Sequence, residues 1–250
     1  MATKDRLTGS RFVSTITELV DDQGITLETG SDFSFLQKAL KDQPERNALA
    51  PRFSPQGNDL NEETAFWILG RDPQGEIVHT QAVRTIDLEG LTLASYMDAQ
   101  FRDFTPAGYG IDMRRSQYRG APGSRMIAGK VCYHGELWLK GGPGGYRGAG
   151  MTAILARLAM AISLEKWSPD YVFGFMFPLA ACKGLAAREG YMHTEPGSLY
   201  WAVPGQREKM EVWTVWMGRE DIRHILQIPP TSLFEQLEAS QLRSRREKAA

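Results

Sequence analysis

Residues 130–140 (KVCYHGELWLK), 141–150 (GGPGGYRGAG) and 151–167 (MTAILARLAMAISLEKW) decide the fold. The first stretch, rich in apolar and aromatic residues, reads as a strand. The second holds six glycines in ten residues. In the third, Met151, Ile154, Leu155, Leu158 and Ile162 recur at helical spacing, which predicts a helix. Residues 171–177 then read as a second strand, apolar apart from Gly174, as expected of a strand covered on both faces. Strand, glycine loop, helix and strand together form a β-α-β unit.

The rest of the chain is read outward from this unit. Downstream, small residues over 179–189 predict a helix closed by Gly190, and 198–203 and 210–217 predict two strands. Pro229-Pro230 is a break, after which Ser232 and Glu235 form a capping box for a last helix over about 232–248 with a basic end. Upstream, 64–70 and 76–86 form a hairpin across Arg71-Asp72-Pro73-Gln74-Gly75. Residues 87–129 read as an insert, helical over 91–101 and turn-rich beyond. Residues 11–22 are helical, 25–28 a short strand, 32–41 a helix capped by Ser31, and 43–62 an irregular loop. The order predicts a mixed α/β (α+β) fold in a single domain spanning 1–250.

Composition narrows the function. The chain has 250 residues, with 29 Lys+Arg against 30 Asp+Glu and a net charge of −1. Near-neutrality argues against a nucleic-acid partner, whose phosphates demand a cationic excess. Two cysteines, Cys132 and Cys182, are too few for a disulfide framework or a four-thiolate zinc site, so no metal is expected. The most apolar stretch, 153–164, carries Arg157 and falls short of the ~20 residues of a membrane span. Residues 1–11 lack the apolar core of a signal peptide. A cytoplasmic protein with no membrane partner is expected.

The glycine loop carries the chemical signal. A glycine-rich turn opening a helix lets backbone approach a ligand closely, and the helix N-terminus favours an anion such as phosphate. Arg147 adds a cation. The loop lacks the Lys-Ser/Thr pair of a P-loop. Gly148-x-Gly150-x-x-Ala153 fits a dinucleotide fingerprint formally, but the next strand ends Phe175-Met176-Phe177 without the acid that would bind a ribose. An NAD-dependent oxidoreductase is therefore a remote alternative.

Arg147-Gly148-Ala149-Gly150-Met151-Thr152 resembles the pyrophosphate-binding signature [Q/R]-x-x-G-x-[G/A] of the GNAT N-acetyltransferase superfamily, with Thr152 departing at the last position. Residues 181–191 (ACKGLAAREGY) resemble that family's later helix, which ends in Gly and an aromatic. The resemblance extends over about 64–217 and is sharpest over 131–191. It implies a mostly antiparallel mixed sheet with one splayed parallel strand pair, flanked by helices. It implies an acyl-CoA co-substrate, most simply acetyl-CoA. The diphosphate would lie on the amides from Arg147 through Gly148, Ala149, Gly150 and Met151 to Thr152. The pantetheine would lie along Leu137, Trp138 and Leu139 like an added strand. The implied reaction is direct attack on the thioester by an amine of a small molecule or peptide.

Such a reaction needs a proton acceptor. By strand alternation Cys132, His134, Glu136, Trp138 and Lys140 share one face, which offers His134 and Glu136, acting directly or through water. His79 is a weaker candidate. The family's acidic Tyr falls on Ala186 here, leaving Tyr191 and Tyr200 as replacements. The insert, with Tyr96, Tyr109, Tyr118, Arg114, Arg115, Arg119 and Arg125, is either a lid that recognises an acidic or aromatic acceptor or a solvated or homodimer-contacting segment. The alternative of another class is a CoA-binding sensor or assembly module without turnover, suggested by Ala186.

Overall fold

The computed structural model describes residues 2–41, 43, 48–142, 144–147 and 150–233, with residues 2–9 as backbone alone. The chain begins with helix α1 (Ala2–Asp22), whose Phe12, Ile16 and Val20 form a buried stripe at spacings of four. Strand β1 (Thr26–Gly30) and helix α2 (Phe33–Leu40) follow. The cap of α2 is Asp32 rather than the expected Ser31. The Asp32 Oδ1 accepts from the amides of Ser34 and Phe35 at 2.9 and 3.0 Å, so one carboxylate satisfies two orphan donors.

The expected hairpin is strands β2 (Ala65–Arg71) and β3 (Ile77–Thr92). Its turn is held by Asp72 Oδ1, which accepts from the Gln74 and Glu76 amides, and by Gly75 at φ 84°. Strand β3 runs further than expected and its last residue pairs with Ala128, so the insert proper is residues 93–127. It holds helix α3 (Leu93–Gln100) and the two-residue strand β4 (Gln117–Tyr118).

The decisive unit is confirmed. Strand β5 (Ala128–Leu139) leads through the glycine loop to helix α4 (Met151–Trp167) and strand β6 (Tyr171–Met176). Helix α4 is buried nearly all round, packed between the sheet and α1. The helix expected over 179–189 is two short ones, α5 (Pro178–Cys182) and α6 (Leu185–Glu189), because Gly184 turns left-handed at φ 74° between them. Strand β7 (His193–Trp201) starts earlier than expected, with a register shift between Glu195 and Leu199 that accommodates Pro196-Gly197. Strand β8 (Met210–Gly218) and helix α7 (Arg219–Ile225) complete the order. Residues 230–233 are helical, and the rest of the expected last helix, with Glu235, lies outside the described residues.

Among the described residues eight strands form one sheet in the order β1-β2-β3-β5-β6-β8-β7-β4. Every neighbouring pair is antiparallel except β5–β6, which is parallel. This is the mostly antiparallel, helix-flanked sheet with one parallel pair that the GNAT resemblance implies. One face is covered by α1, α4, α6 and α7 through Ile16, Ile154, Leu158 and Ile222. The other is covered by α2, α3 and the loop around Phe53, through Leu36, Phe53, Met97 and Phe104. Among the described residues no helix is long and apolar enough to cross a membrane.

Candidate active site

The parallel pair is short. Strands β5 and β6 are in register only over Val131–Tyr133 and Tyr171–Phe173. Beyond that point β5 continues to Leu139 paired with β3 alone, and β6 continues to Met176 paired with β8 alone. Two strands that stay bonded to their outer neighbours but lose each other must part, and their facing edges carry unspent donors and acceptors. The Lys140 amide donates to Val78 O on β3 at 2.8 Å. By alternation the amides and carbonyls of Leu139 and Leu137 face the other way, into the gap, while those of Trp138 face β3. Of the three residues assigned to the pantetheine, Leu137 and Leu139 thus present backbone groups to the cleft.

The glycine loop returns to the same edge. Arg147 Nε donates to Leu139 O at 2.6 Å, and its side chain crosses Gly141 so closely that a Cβ there would lie 2.9 Å from Arg147 Cδ. Gly150 stands at φ 79° and starts α4. Its carbonyl already accepts from the Ala153 amide at 3.0 Å, which leaves the Met151 and Thr152 amides at the helix start beyond the helix's own ladder. Gly148 and Ala149 lie outside the described residues. The described part of the expected diphosphate cradle (Arg147, Gly150, Met151, Thr152) therefore converges on the open end of the cleft.

The expectation of a shared face for His134 and Glu136 is overturned. Between Ala82↔Gly135 and Thr80↔Trp138, β5 advances three residues while β3 advances two. The extra residue is a bulge, with Glu136 at φ 57°, and it inverts the alternation downstream. Cys132 and His134 face α4, whereas Glu136 reaches the opposite face, where its Oε1 accepts from the Ala50 amide at 2.9 Å. Trp138 joins that opposite face, and Leu139 crosses to the α4 side.

His134 is built into a closed polar chain. Its Nε2 lies 3.0 Å from Gln81 Oε1 and its Nδ1 3.0 Å from Tyr191 Oη, while Gln81 Nε2 donates to Leu155 O at 2.6 Å. Because Gln81 presents an acceptor, the His134 proton sits on Nε2, and Tyr191 donates to Nδ1. Burial pushes the His134 pKa down from 6.5 to about 4, so the ring is neutral at neutral pH and its lone pair is occupied. Tyr191, its own ionisation suppressed by burial, holds its hydroxyl where the strands part. A Cβ on Gly174 would meet His134 O at 2.9 Å and Tyr191 Oη at 3.1 Å. Tyr200 lies instead on the far strand β7, paired with Gln117 and beneath the Arg119 guanidinium. His79 is fully buried, with Nδ1 2.8 Å from Trp138 O.

The insert does not form a roof of arginines. Arg114, Arg115, Arg119 and Arg125 are exposed, and β4 extends the sheet beyond β7. Its first part reaches the site, where Tyr96 and Asp103 meet Arg52 and Phe104 packs edge-on against Tyr133 at 4.9 Å, and Tyr109 lies with its ring 6.4 Å from that of Phe177, just past the end of β6. Sequence reasoning misses Arg52 and Arg84. Arg84 carries a readable signal, a lone cation among the inward positions Ala82, Ile86 and Leu88 of β3. Arg52 carries none, sitting in a stretch that reads as irregular loop. No group of three or more His, Cys, Asp or Glu side chains that could hold a metal ion occurs among the described residues.

No protein-family model and no curated protein matches the sequence. Among solved structures, FeeM, an N-acyl amino acid synthase from uncultured soil microbes, is similar at 13% identity, covering 88% of this chain and 94% of that one with a TM-score of 0.37. A mutant form of the spermidine/spermine N-acetyltransferase SpeG from Vibrio cholerae is similar at 9% identity, covering 81% and 98% with a TM-score of 0.43. The aminoglycoside acetyltransferase AAC(6')-Ib, in complex with parmomycin and acetyl-CoA, is similar at 13% identity, covering 80% and 96% with a TM-score of 0.41.

Proposed function

We propose that this chain is an acyl-CoA-dependent N-acyltransferase that moves an acyl group, most simply acetyl, to an amine of a small molecule or peptide. The observation that carries this reading is the loss of pairing between β5 and β6 beyond Tyr133 and Phe173, with α4's N-terminus at the open end. Such a gap offers one strand edge to a pantetheine amide chain and one helix start to a diphosphate.

In this reading the Leu137 and Leu139 backbones bind the pantetheine. Arg147 with the amides of Gly148, Ala149, Gly150, Met151 and Thr152 holds the diphosphate. The amine nitrogen attacks the thioester carbon, the C–N bond forms and the C–S bond breaks. The proton lost by nitrogen passes to Glu136, directly or through a water, and the thiolate leaves to take up a proton. Glu136 is preferred to His134 because its carboxylate is placed on the face opposite the buried, lone-pair-occupied imidazole. His134 instead positions Tyr191.

Calorimetric titration with coenzyme A and acetyl-CoA, followed by thiol release from acetyl-CoA with a panel of amines, tests this reading. Micromolar binding with amine-dependent thiol release is the expected result. Absence of binding refutes it, and binding without release from any amine favours the sensor module suggested by Ala186.

A further inference from the structure

On the face of the sheet opposite His134, Arg84 of β3 and Tyr133 of β5 are direct cross-strand partners. The segment around Pro51–Phe53 lies over them and contributes Arg52, whose residue is 9% exposed. Arg84 donates to Arg52 O at 2.8 Å and to Asn58 Oδ1 at 2.7 Å. Arg52 bonds the Tyr96 hydroxyl, lies over the Phe104 ring at 4.7 Å and approaches Asp103 Oδ2 at 3.4 Å. Two guanidiniums therefore share one largely buried spot. Burial lowers the pKa of both, and the Arg52 charge lowers that of Arg84 further, to about 10.

Their positive charge is incompletely answered. Among the described residues the one carboxylate within ion-pair distance of either is Asp103, on a long contact and with a side chain 45% exposed. The Nε of Arg52 and the Nε of Arg84 are both buried without a hydrogen-bond partner among the described residues. A buried cationic donor left in this state is costly, and a bidentate carboxylate is the group that matches it. The pair also stands next to the reacting centre. Glu136 is tied to the Ala50 amide, two residues before Arg52, and Tyr133 marks the point where the strands part.

We propose that Arg52 and Arg84 bind the carboxylate of the acceptor, so that the acceptor is an amino acid whose amine is acylated. This rests on the acyltransferase reading. The acceptor's carboxylate exchanges with Asp103, its amine is directed toward Glu136, and its side chain lies against the Phe104 and Tyr133 rings. Phe104, Tyr133 and Phe175, mutually within 5.9 Å, make that surface aromatic.

The test is calorimetric binding of L-phenylalanine and L-leucine beside phenethylamine and isoamylamine, which lack only the carboxylate, with and without coenzyme A. The expected result is binding of the amino acids at least about tenfold tighter than the matched amines. Asp103→Asn should raise amino-acid affinity severalfold by removing the competing carboxylate, an effect a purely structural Arg52–Asp103 pair would not give. Arg84→Lys, which keeps the charge but loses the fork, should shrink the amino-acid preference. Equal binding of acids and amines, or an Asp103→Asn variant with unchanged or weaker amino-acid binding, overturns the proposal. Coenzyme A titration of the same samples separates the two failures. If coenzyme A binds while carboxylates are not preferred, only the acceptor assignment falls; if it does not bind, the acyltransferase reading falls whatever the amino acids do.

Discussion

If His134 is a neutral core group, its removal must change how stability depends on pH, and the sign can be fixed in advance. The ring's pKa is about 4 in the fold against 6.5 unfolded, because burial disfavours its charged form. A depressed base keeps its full contribution above pH 6.5 and loses it as pH falls toward 4. At ~1.4 kcal/mol for each tenfold change in acidity, this is up to about 3 kcal/mol. Glu189, 3% exposed on α6, works in the opposite direction. Burial raises its pKa from 4.5 to about 8, so its contribution is complete below pH 4.5 and is lost as pH rises to 8. Between pH 4.5 and 6.5 the two slopes, each ~1.4 kcal/mol per pH unit, oppose each other. Urea unfolding at pH 4.5, 5.5, 6.5 and 7.5 on the parent, His134→Asn and Glu189→Gln separates them, with m-values checking that unfolding stays two-state. Relative to the parent, Glu189→Gln should lose stability on acidification and His134→Asn should gain it. Groups common to all three proteins cancel in the comparison. A His134→Asn variant whose pH slope equals the parent's would mean that the imidazole protonates normally in the fold. It would then be an available base, and the preference for Glu136 would lose its ground.

Glu136→Gln should lower kcat by ~10²–10⁴ at unchanged coenzyme A affinity, since the amide oxygen can still accept from Ala50 while the proton acceptor is gone; loss of coenzyme A binding instead would make Glu136 a structural or cofactor residue. Gly174→Ala places a methyl 2.9 Å from His134 O and 3.1 Å from Tyr191 Oη, and should cost ~1–3 kcal/mol, seen as a fall of ~2–4 °C in Tm per kcal/mol. An unchanged Tm would mean that the strands are already apart at that level. Arg147→Ala should weaken coenzyme A binding about tenfold and flatten its salt dependence, with little change in stability because the side chain is exposed. Equal salt slopes for the two proteins would place Arg147 away from the diphosphate.

The parts of this molecule legible from sequence are those whose determinants are close in the chain. Helix α4 is written in its own periodicity, and the β2–β3 turn in its Asp and Gly. The cap of α2 falls one position from its expected place because Ser31 and Asp32 are both good caps, and only the loop's path decides between them. The stretch 179–189 reads as one continuous helix because its small apolar residues are continuous; Gly184 breaks it by adopting a left-handed φ, which composition permits but does not demand.

The site is harder to read, for a reason that lies in the bulge. Alternation assumes one residue per partner, so a single extra residue reverses every assignment after it. A glycine inside an otherwise regular strand marks where such an irregularity can occur, and Gly135 immediately precedes Glu136. The displaced residue is also the proposed proton acceptor. In a regular strand Glu136 would face α4 beside His134, in a layer of Met151, Leu155 and Val172 where an unpaired carboxylate is disfavoured. The bulge moves it to the face where Ala50, Arg52, Arg84 and Tyr133 meet. Arg84 and Tyr133 lie tens of positions from the Ala50–Arg52 stretch and from each other, joined to it only by cross-strand register and by a loop folded over the sheet. No local pattern brings Arg52 to Arg84, yet moving Glu136 back to the α4 side would separate the carboxylate from both. The bulge is therefore what links the proposed acyl-CoA cleft on one edge of β5 with the proposed acceptor surface on one face of it.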